Sequence, residues 1–341
     1  MTGLNCLVLP RASIRGVIWG VGYMNTKLVT IFGGSGFLGR HTVRALARAG
    51  WRIKIATRHP ARGFFLRPLG TVGQIDFVKC DVADAQSVAA AVMGASAVIN
   101  LTGILFQKGQ TFEDVQAQGA ANITQAAAAA GVTALVHISA IGADGESESE
   151  YAVTKADGEK AVREGFADAV ILRPSIIFGP EDGFFNKFAG MARFLPMLPL
   201  VGGGHTRFQP VFVGDVAAAI VTVLTSPAAR GRTFELGGPS IYSFKELLQM
   251  ILREIGRRRL LMPLPFALAS LQAAFLQLLP NPILTMDQVK LLKKDNVVAP
   301  TATGLADLGI TPTSVEAVIP SYLWRFRAKG EYAADLPNMT A

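Results

Sequence analysis

The stretch that most constrains this chain is the apolar run KLVTIF at 27–32, followed at once by GGSGFLG at 33–39 and then a helical pattern. A buried strand, a glycine-rich turn and a helix N-terminus in that order form a site for the pyrophosphate of a dinucleotide. The first amides of the helix have no partner within it, and the glycines leave room for the phosphates. Gly33 permits the tight turn, Gly36 lets the backbone come close to the ligand, and Gly39 lets the helix pack on the strand. Ser35, Phe37 and Leu38 share the turn and are further candidate nucleotide contacts. Glycine patterns recur by chance, so the strand and helix on either side carry the reading.

Strand-like apolar runs continue at 52–57, 74–78, 97–101, 134–139 and 169–172. Helical stretches lie between them at 40–49, 84–93, 112–130 and 151–164. This β-α alternation predicts an α/β protein: a Rossmann-type doubly wound parallel sheet with helices on both faces. Residues 25–180 would form the nucleotide-binding domain. Two later runs, 209–213 and 233–236, look like returns to the sheet, which 208–238 would complete. Residues 181–207 and 239–330 would make a smaller, mostly helical C-terminal lobe, and 331–341 a tail. The acidic, serine-containing 144–150 reads as a solvated loop.

Half of the 341 residues are hydrophobic and only 17% are charged, which suggests a large buried surface, a partner or a membrane face. The net charge of +8 favours acidic partners: nucleotide phosphates, anionic lipid or nucleic acid. No nucleic-acid-binding signature is present, so nucleic acid is the least favoured. Two cysteines, Cys6 and Cys80, are too few for a disulfide framework and suit a reducing compartment. The four histidines are too scattered for metal-ligand spacing, so no metal is expected.

Residues 1–26 carry Arg11 and Arg15 and no acid, as targeting sequences do. Met24 stands directly before the first strand, so a start of translation there is the favoured reading. Residues 260–286 contain no charge at all. Their prolines leave about 14 helix-compatible residues where a membrane span needs roughly 20. Two readings stay open: a core helix, or an apolar helix lying on a membrane surface or partner. The core helix is the usual explanation for such a segment, and Arg257, Arg258 and Arg259 on one side with Lys290, Lys293 and Lys294 on the other bring the second reading level with it.

The chemistry-bearing residues fall at strand ends. After the second strand come Thr57, Arg58 and His59, with no acid to bind a ribose 2′-hydroxyl. Arg58 there suits a 2′-phosphate, so NADP(H) is expected in preference to NAD(H). Asp81 and Val82 follow the third strand, where the carboxylate can accept from the adenine amine. Leu101, Thr102 and Gly103 follow the fourth and would lie beside the second ribose and nicotinamide, with Pro174 beyond the sixth. Ser139 ends the fifth strand, and YAVTK at 151–155 opens the next helix. Tyr151 and Lys155, four apart, face one side of that helix. A nearby ammonium would lower the phenol's pKa, so that Tyr151 exchanges a proton with a substrate oxygen held by Ser139.

Gly33, Gly36 and Gly39 with Ser139, Tyr151 and Lys155 resemble the short-chain dehydrogenase/reductase superfamily in its extended and atypical branches, from Met24 to about Tyr332. Within it, FGPEDGFFN at 178–186, QPVFVGD at 209–215, LTMDQVKLLKKDN at 284–296 and PSYLWRFR at 320–327 resemble the nucleotide-binding accessory subunits of respiratory complex I and their bacterial relatives. That resemblance implies an NADPH held as a structural element by Gly33, Gly36, Gly39, Arg58, Asp81, Thr102, Tyr151 and Lys155. It implies complex I subunits as partners, and peripheral docking on the cytoplasmic side of a bacterial inner membrane (the matrix side in a mitochondrion), with an anionic membrane surface nearby. The retained Ser/Tyr/Lys set leaves open a free-standing NADP(H)-dependent reductase, or a sugar-nucleotide epimerase or dehydratase.

Overall fold

The computed structural model describes residues 27–279, 282, 284–328 and 330. The expectations for residues 1–26 and for the tail at 331–341 lie outside the described residues. The chain opens with β1 (Leu28–Phe32), α1 (Phe37–Arg48), β2 (Arg52–Thr57), β3 (Ile75–Lys79), α2 (Ala85–Val92) and β4 (Ala97–Asn100). It continues with α3 (Gly119–Ala129), β5 (Ala134–Ile138), α4 (Glu150–Gly165) and β6 (Val170–Pro174). These six strands and Thr233–Leu236 form one parallel sheet, with Thr233–Leu236 at one edge and then β6, β5, β4, β1, β2 and β3.

The sheet is sandwiched between two apolar layers. β1 and β4 lie at its centre and are buried almost throughout, which is why their sequences run apolar without alternation. On one face α1 packs with α6 (Val213–Thr225) over Val29, Ile31, Ile53 and Val136; α2, α3 and α4 cover Phe32, Val98 and Leu135 on the other. The chain crosses from β3 through α2 back to β4 on the other side of β1, and there the strand order switches. The carboxyl ends of these neighbouring strands therefore open a crevice where ligands bind in such sheets.

Of the two later runs, only Thr233–Leu236 joins the sheet. Val211–Phe212 pairs instead with Ile177–Phe178 in a separate two-stranded ribbon. The seventh strand already occupies the place beside β6, and Val211 and Phe212 are drawn to two different apolar clusters.

The second lobe packs α5 (Phe185–Phe194) against α7 (Phe244–Glu254), with Val315, Ile319, Tyr322 and Leu323 closing its core. α7 starts with a capping box in which Ser243 and Glu246 satisfy each other's backbone amides. The uncharged 260–286 segment is not one helix. Leu260–Leu264 is a strand paired in parallel with Met197–Val201, and α8 (Phe266–Leu276) follows as a separate helix. Nor is α8 a core helix. Within it only Ala269 and Ala273 are buried, while Leu271 is 58% and Phe275 69% exposed.

Candidate dinucleotide and Ser/Tyr/Lys site

The crevice at the carboxyl ends of β1 and β4 is a cleft of about 800 Å³, lined by residues of both lobes. Its first wall is the turn after β1. Gly33 has φ of +79°, and a side chain there would press on the Leu101 carbonyl at 3.0 Å. At Gly39 a Cβ would sit 2.4 Å from the Gly33 oxygen, so α1 approaches its own turn as closely as backbone allows. α1 starts after Gly36 with no side-chain cap, which leaves amides of Phe37, Leu38 and Gly39 at a helix N-terminus facing the cleft. A glycine-walled cradle of helix amides fits a dinucleotide diphosphate.

Farther along the same wall, Arg58 after β2 donates to the side chain of Gln110, whose amide donates to Asp81 Oδ1 at 2.8 Å. Asp81 Oδ1 also accepts from Ala83 N. Gln110 is a lining residue that sequence reasoning misses, because it lies in the loop after β4 with no periodic or motif signal. It ties the ends of β2 and β3 together through that loop.

The opposite wall carries Ser139, Tyr151 and Lys155. Lys155 is buried and donates to the Ile138 carbonyl at 3.1 Å and the Thr102 carbonyl at 3.4 Å. Burial lowers its pKa to about 8, with Glu159 acting in the opposite sense. Tyr151 does not follow the electrostatic expectation. Its phenol is pushed up to about 12, first by burial and then by the Asp287 carboxylate. The ammonium expected to lower it is directed at two backbone carbonyls instead. Ser139 Oγ is buried with no hydrogen-bond partner among the described residues.

Beneath them, Asn100 Oδ1 accepts from Thr102 N and Thr102 Oγ1, so its amide is left to donate to His137 Nδ1 at 3.1 Å. That arrangement puts the imidazole proton on Nε2. Burial, reinforced by the charge of Lys155, lowers the His137 pKa to about 3 and keeps the ring neutral.

The cleft is roofed by α9 (Met286–Leu291) and the residues after it. Asp287 accepts from Ser149 Oγ and Glu150 N, both at 2.8 Å. Lys294 pairs with Asp144 and Lys293 with Glu148, while Lys290 donates to the Glu148 carbonyl. Asn296 accepts from Ser175 Oγ and Ile176 N and donates to the Ile141 carbonyl. The 144–150 loop is thus strapped down by the 285–296 segment rather than free in solvent. No sequence signal pairs these two stretches. The Thr285/Gln288 capping box marks where α9 starts but not what it touches.

All the candidate residues named from the sequence, from Gly33 to Pro174, line this one cleft. Among the described residues, no cluster of three or more histidine, cysteine or carboxylate side chains is placed to hold a metal ion. The family model for the NAD dependent epimerase/dehydratase family matches residues 29–237, which span the sheet and both cleft walls.

The chain belongs to the NAD dependent epimerase/dehydratase family.

Within that family it is a relative of mitochondrial complex I subunits. It is 37% identical over 321 residues to mouse NADH dehydrogenase [ubiquinone] 1 alpha subcomplex subunit 9, covering 93% of this chain and 82% of the mouse protein. A ceramide reductase of Caulobacter vibrioides is 34% identical over 203 residues, covering 59% of this chain and 62% of that one. Among solved structures, a UDP-glucose 4-epimerase of Thermus thermophilus in complex with NAD superposes with a TM-score of 0.66 at 22% identity. That alignment spans 88% of this chain and 99% of the epimerase, and it shows a shared fold.

Proposed function

We propose that this protein is an NADP(H)-binding accessory or assembly subunit of an NADH:quinone oxidoreductase, with the nucleotide held mainly as a structural element. The observation that carries the reading is the near-full-length similarity to the mouse complex I subunit, which runs through both lobes. In this reading residues 25–180, with the seventh strand, hold the nucleotide. Residues 181–207 and 239–330 dock.

The docking face is apolar and exposed. Phe194, Leu260, Met262, Leu268, Leu271, Phe275 and Leu278 all stand out from the second lobe, with Arg193 and Arg257–Arg259 close by in sequence. Scattered exposed apolar residues are ordinary, but such a run around one uncharged segment marks an interaction surface. Basic shoulders suit the anionic surface of a membrane at its edge. No helix among the described residues is long and apolar enough to cross a membrane, so the association would be peripheral, on the cytoplasmic side in a bacterium.

NADP(H) rather than NAD(H) is favoured by Arg58 and by the lack of an acid at the end of β2. Gently extracted native membranes, separated on a native gel and analysed by mass spectrometry, test the reading. Comigration with the oxidoreductase supports it, and recovery only as free protein overturns it.

A second reading, a free-standing NADP(H)-dependent reductase, is favoured by Ser139, Tyr151 and Lys155 sharing one cleft with the glycine cradle. When bound there, the nicotinamide supplies hydride chemistry. Tyr151, protonated at neutral pH, would give its proton to a carbonyl oxygen that Ser139 Oγ also holds. Lys155, held by the Ile138 and Thr102 carbonyls, would keep that wall in place.

A further inference from the structure

Past Ser139 and Tyr151 the cleft continues into the second lobe, where its chemistry changes. The walls there include Ile176, Phe184, Phe188, Phe208, Phe244 and Leu292. Phe184 lies 5.1 Å from Phe188 and 6.0 Å from Phe244, ring centre to ring centre, and Phe188 lies 5.4 Å from Phe244. Phe208 and Phe244 are buried and form the floor. Phe184 and Phe188 are half-buried.

The charged groups around this half are already engaged within the fold. Lys294 is paired with Asp144, Asp295 with Arg207, and Lys290 with the Glu148 carbonyl. Burial lowers the pKa of Lys187, on α5. A diphosphate or a hydroxyl-rich sugar would therefore meet aromatic carbon and cations that have partners. At the inner end the polarity returns: Ser139 Oγ is buried without a partner among the described residues, and Tyr151 lines the same cleft.

We propose that this half of the cleft binds an elongated apolar molecule bearing a carbonyl oxygen, with the oxygen accepting from Ser139 and Tyr151 and the apolar body lying along Phe184 and Phe188. The inference concerns the ligand beside the nucleotide site and rests on the reading of Gly33–Gly39 as that site only for its orientation. A chain or ring system buried on aromatic side chains is held by the area it removes from water. A single acceptor oxygen satisfies the one buried hydroxyl the fold leaves unpaired among the described residues.

Isothermal titration of the full-length protein, with and without saturating NADPH, tests this with three probes. One is 2-hexadecanone, which has the oxygen and a long apolar body. The second is 2-butanone, which has the oxygen alone, and the third is UDP-glucose. The expected result is saturable binding of 2-hexadecanone, with 2-butanone weaker by about a hundredfold or more. Phe188→Asn should weaken 2-hexadecanone by about tenfold with the NADPH affinity unchanged. Phe184→Leu, which keeps an apolar side chain but removes a ring of the aromatic wall, gives a second, milder variant, and it should weaken the same probe by a smaller factor. Binding of UDP-glucose in preference to 2-hexadecanone, or no binding of 2-hexadecanone, overturns the proposal. Failure of NADPH to bind overturns the nucleotide reading separately, because 2-hexadecanone binding to the nucleotide-free protein still supports the apolar site.

Discussion

The Asp287 carboxylate accepts a hydrogen bond from the backbone amide of Tyr151 at 3.3 Å, from 136 residues further along the chain. Together with its bonds from Ser149 Oγ and Glu150 N, it occupies the positive end of α4, the helix that carries both Tyr151 and Lys155. The 285–296 segment thus holds one wall of the cleft. Through the contact between α9 and α8, the same segment also reaches the exposed apolar face.

Asp287→Ala should therefore act on two readouts. Releasing three donors at a helix start should lower unfolding free energy by about 1–3 kcal/mol in denaturant titration. NADPH should also dissociate faster, because the helix bearing Tyr151 and Lys155 loosens. Asp287→Asn, which keeps an acceptor, should lie between the two. Reduced stability with unaltered NADPH dissociation would show that the strap is not coupled to the site.

Arg58 lies exposed at the cleft edge, where its side chain donates to Gln110, so its loss should lower the nucleotide-free protein's melting temperature only slightly. Arg58→Ala should weaken NADPH by about tenfold or more and NADH by much less, as expected for one charge-assisted contact to a 2′-phosphate. Ligand at a hundred times its dissociation constant contributes about 2.7 kcal/mol. The variant should therefore melt visibly lower than wild type at a fixed low NADPH concentration. Equal weakening of NADH and NADPH would rule out the 2′-phosphate role.

Tyr151→Phe separates holding the nucleotide from turning it over. The phenyl ring keeps its edge-to-face contact with Phe112, whose centre lies 5.9 Å away, so the wall should stay packed. NADPH affinity should change by no more than about a few fold. Any carbonyl-dependent NADPH oxidation followed by absorbance should disappear. Oxidation that persists in the variant would assign the proton to another group.

His137 makes the fold acid-sensitive. Its pKa is about 3 in the folded chain against an ordinary histidine value of 6.5, so the unfolded chain takes up more protons over that interval. Stability should be fully present above pH 6.5 and fall as pH drops towards 3, by about 1.4 kcal/mol per pH unit from this residue alone. His137→Gln should flatten that slope in melting curves taken across the interval. A slope identical to wild type would mean that other groups set the acid limit.

The Rossmann-type sheet was legible in the sequence because a parallel sheet buried on both faces demands near-continuous apolar strands, and β1 and β4 to β6 stand out as such runs. The glycine turn was legible because Gly33 and Gly39 occupy places where a side chain collides with backbone. Ser139, Tyr151 and Lys155 followed from their spacing on successive elements. Those are local properties, and a linear chain records them directly.

Three things were decided only by tertiary structure. Tyr151's phenol rises rather than falls, because Lys155's reach ends at the Ile138 and Thr102 carbonyls and Asp287 arrives from the far end of the chain. Val211 and Phe212 read as a strand, but nothing local could say that their partner is the ribbon at 177–178 and not the sheet. The uncharged 260–286 stretch could be a core helix or an exposed face. The fold resolved it by burying two alanines of α8 against Val201 and Val289 and leaving its large side chains in solvent. Hydrophobic pattern specifies that a segment must be covered or can dock; which neighbour covers it is set by packing between residues distant in sequence.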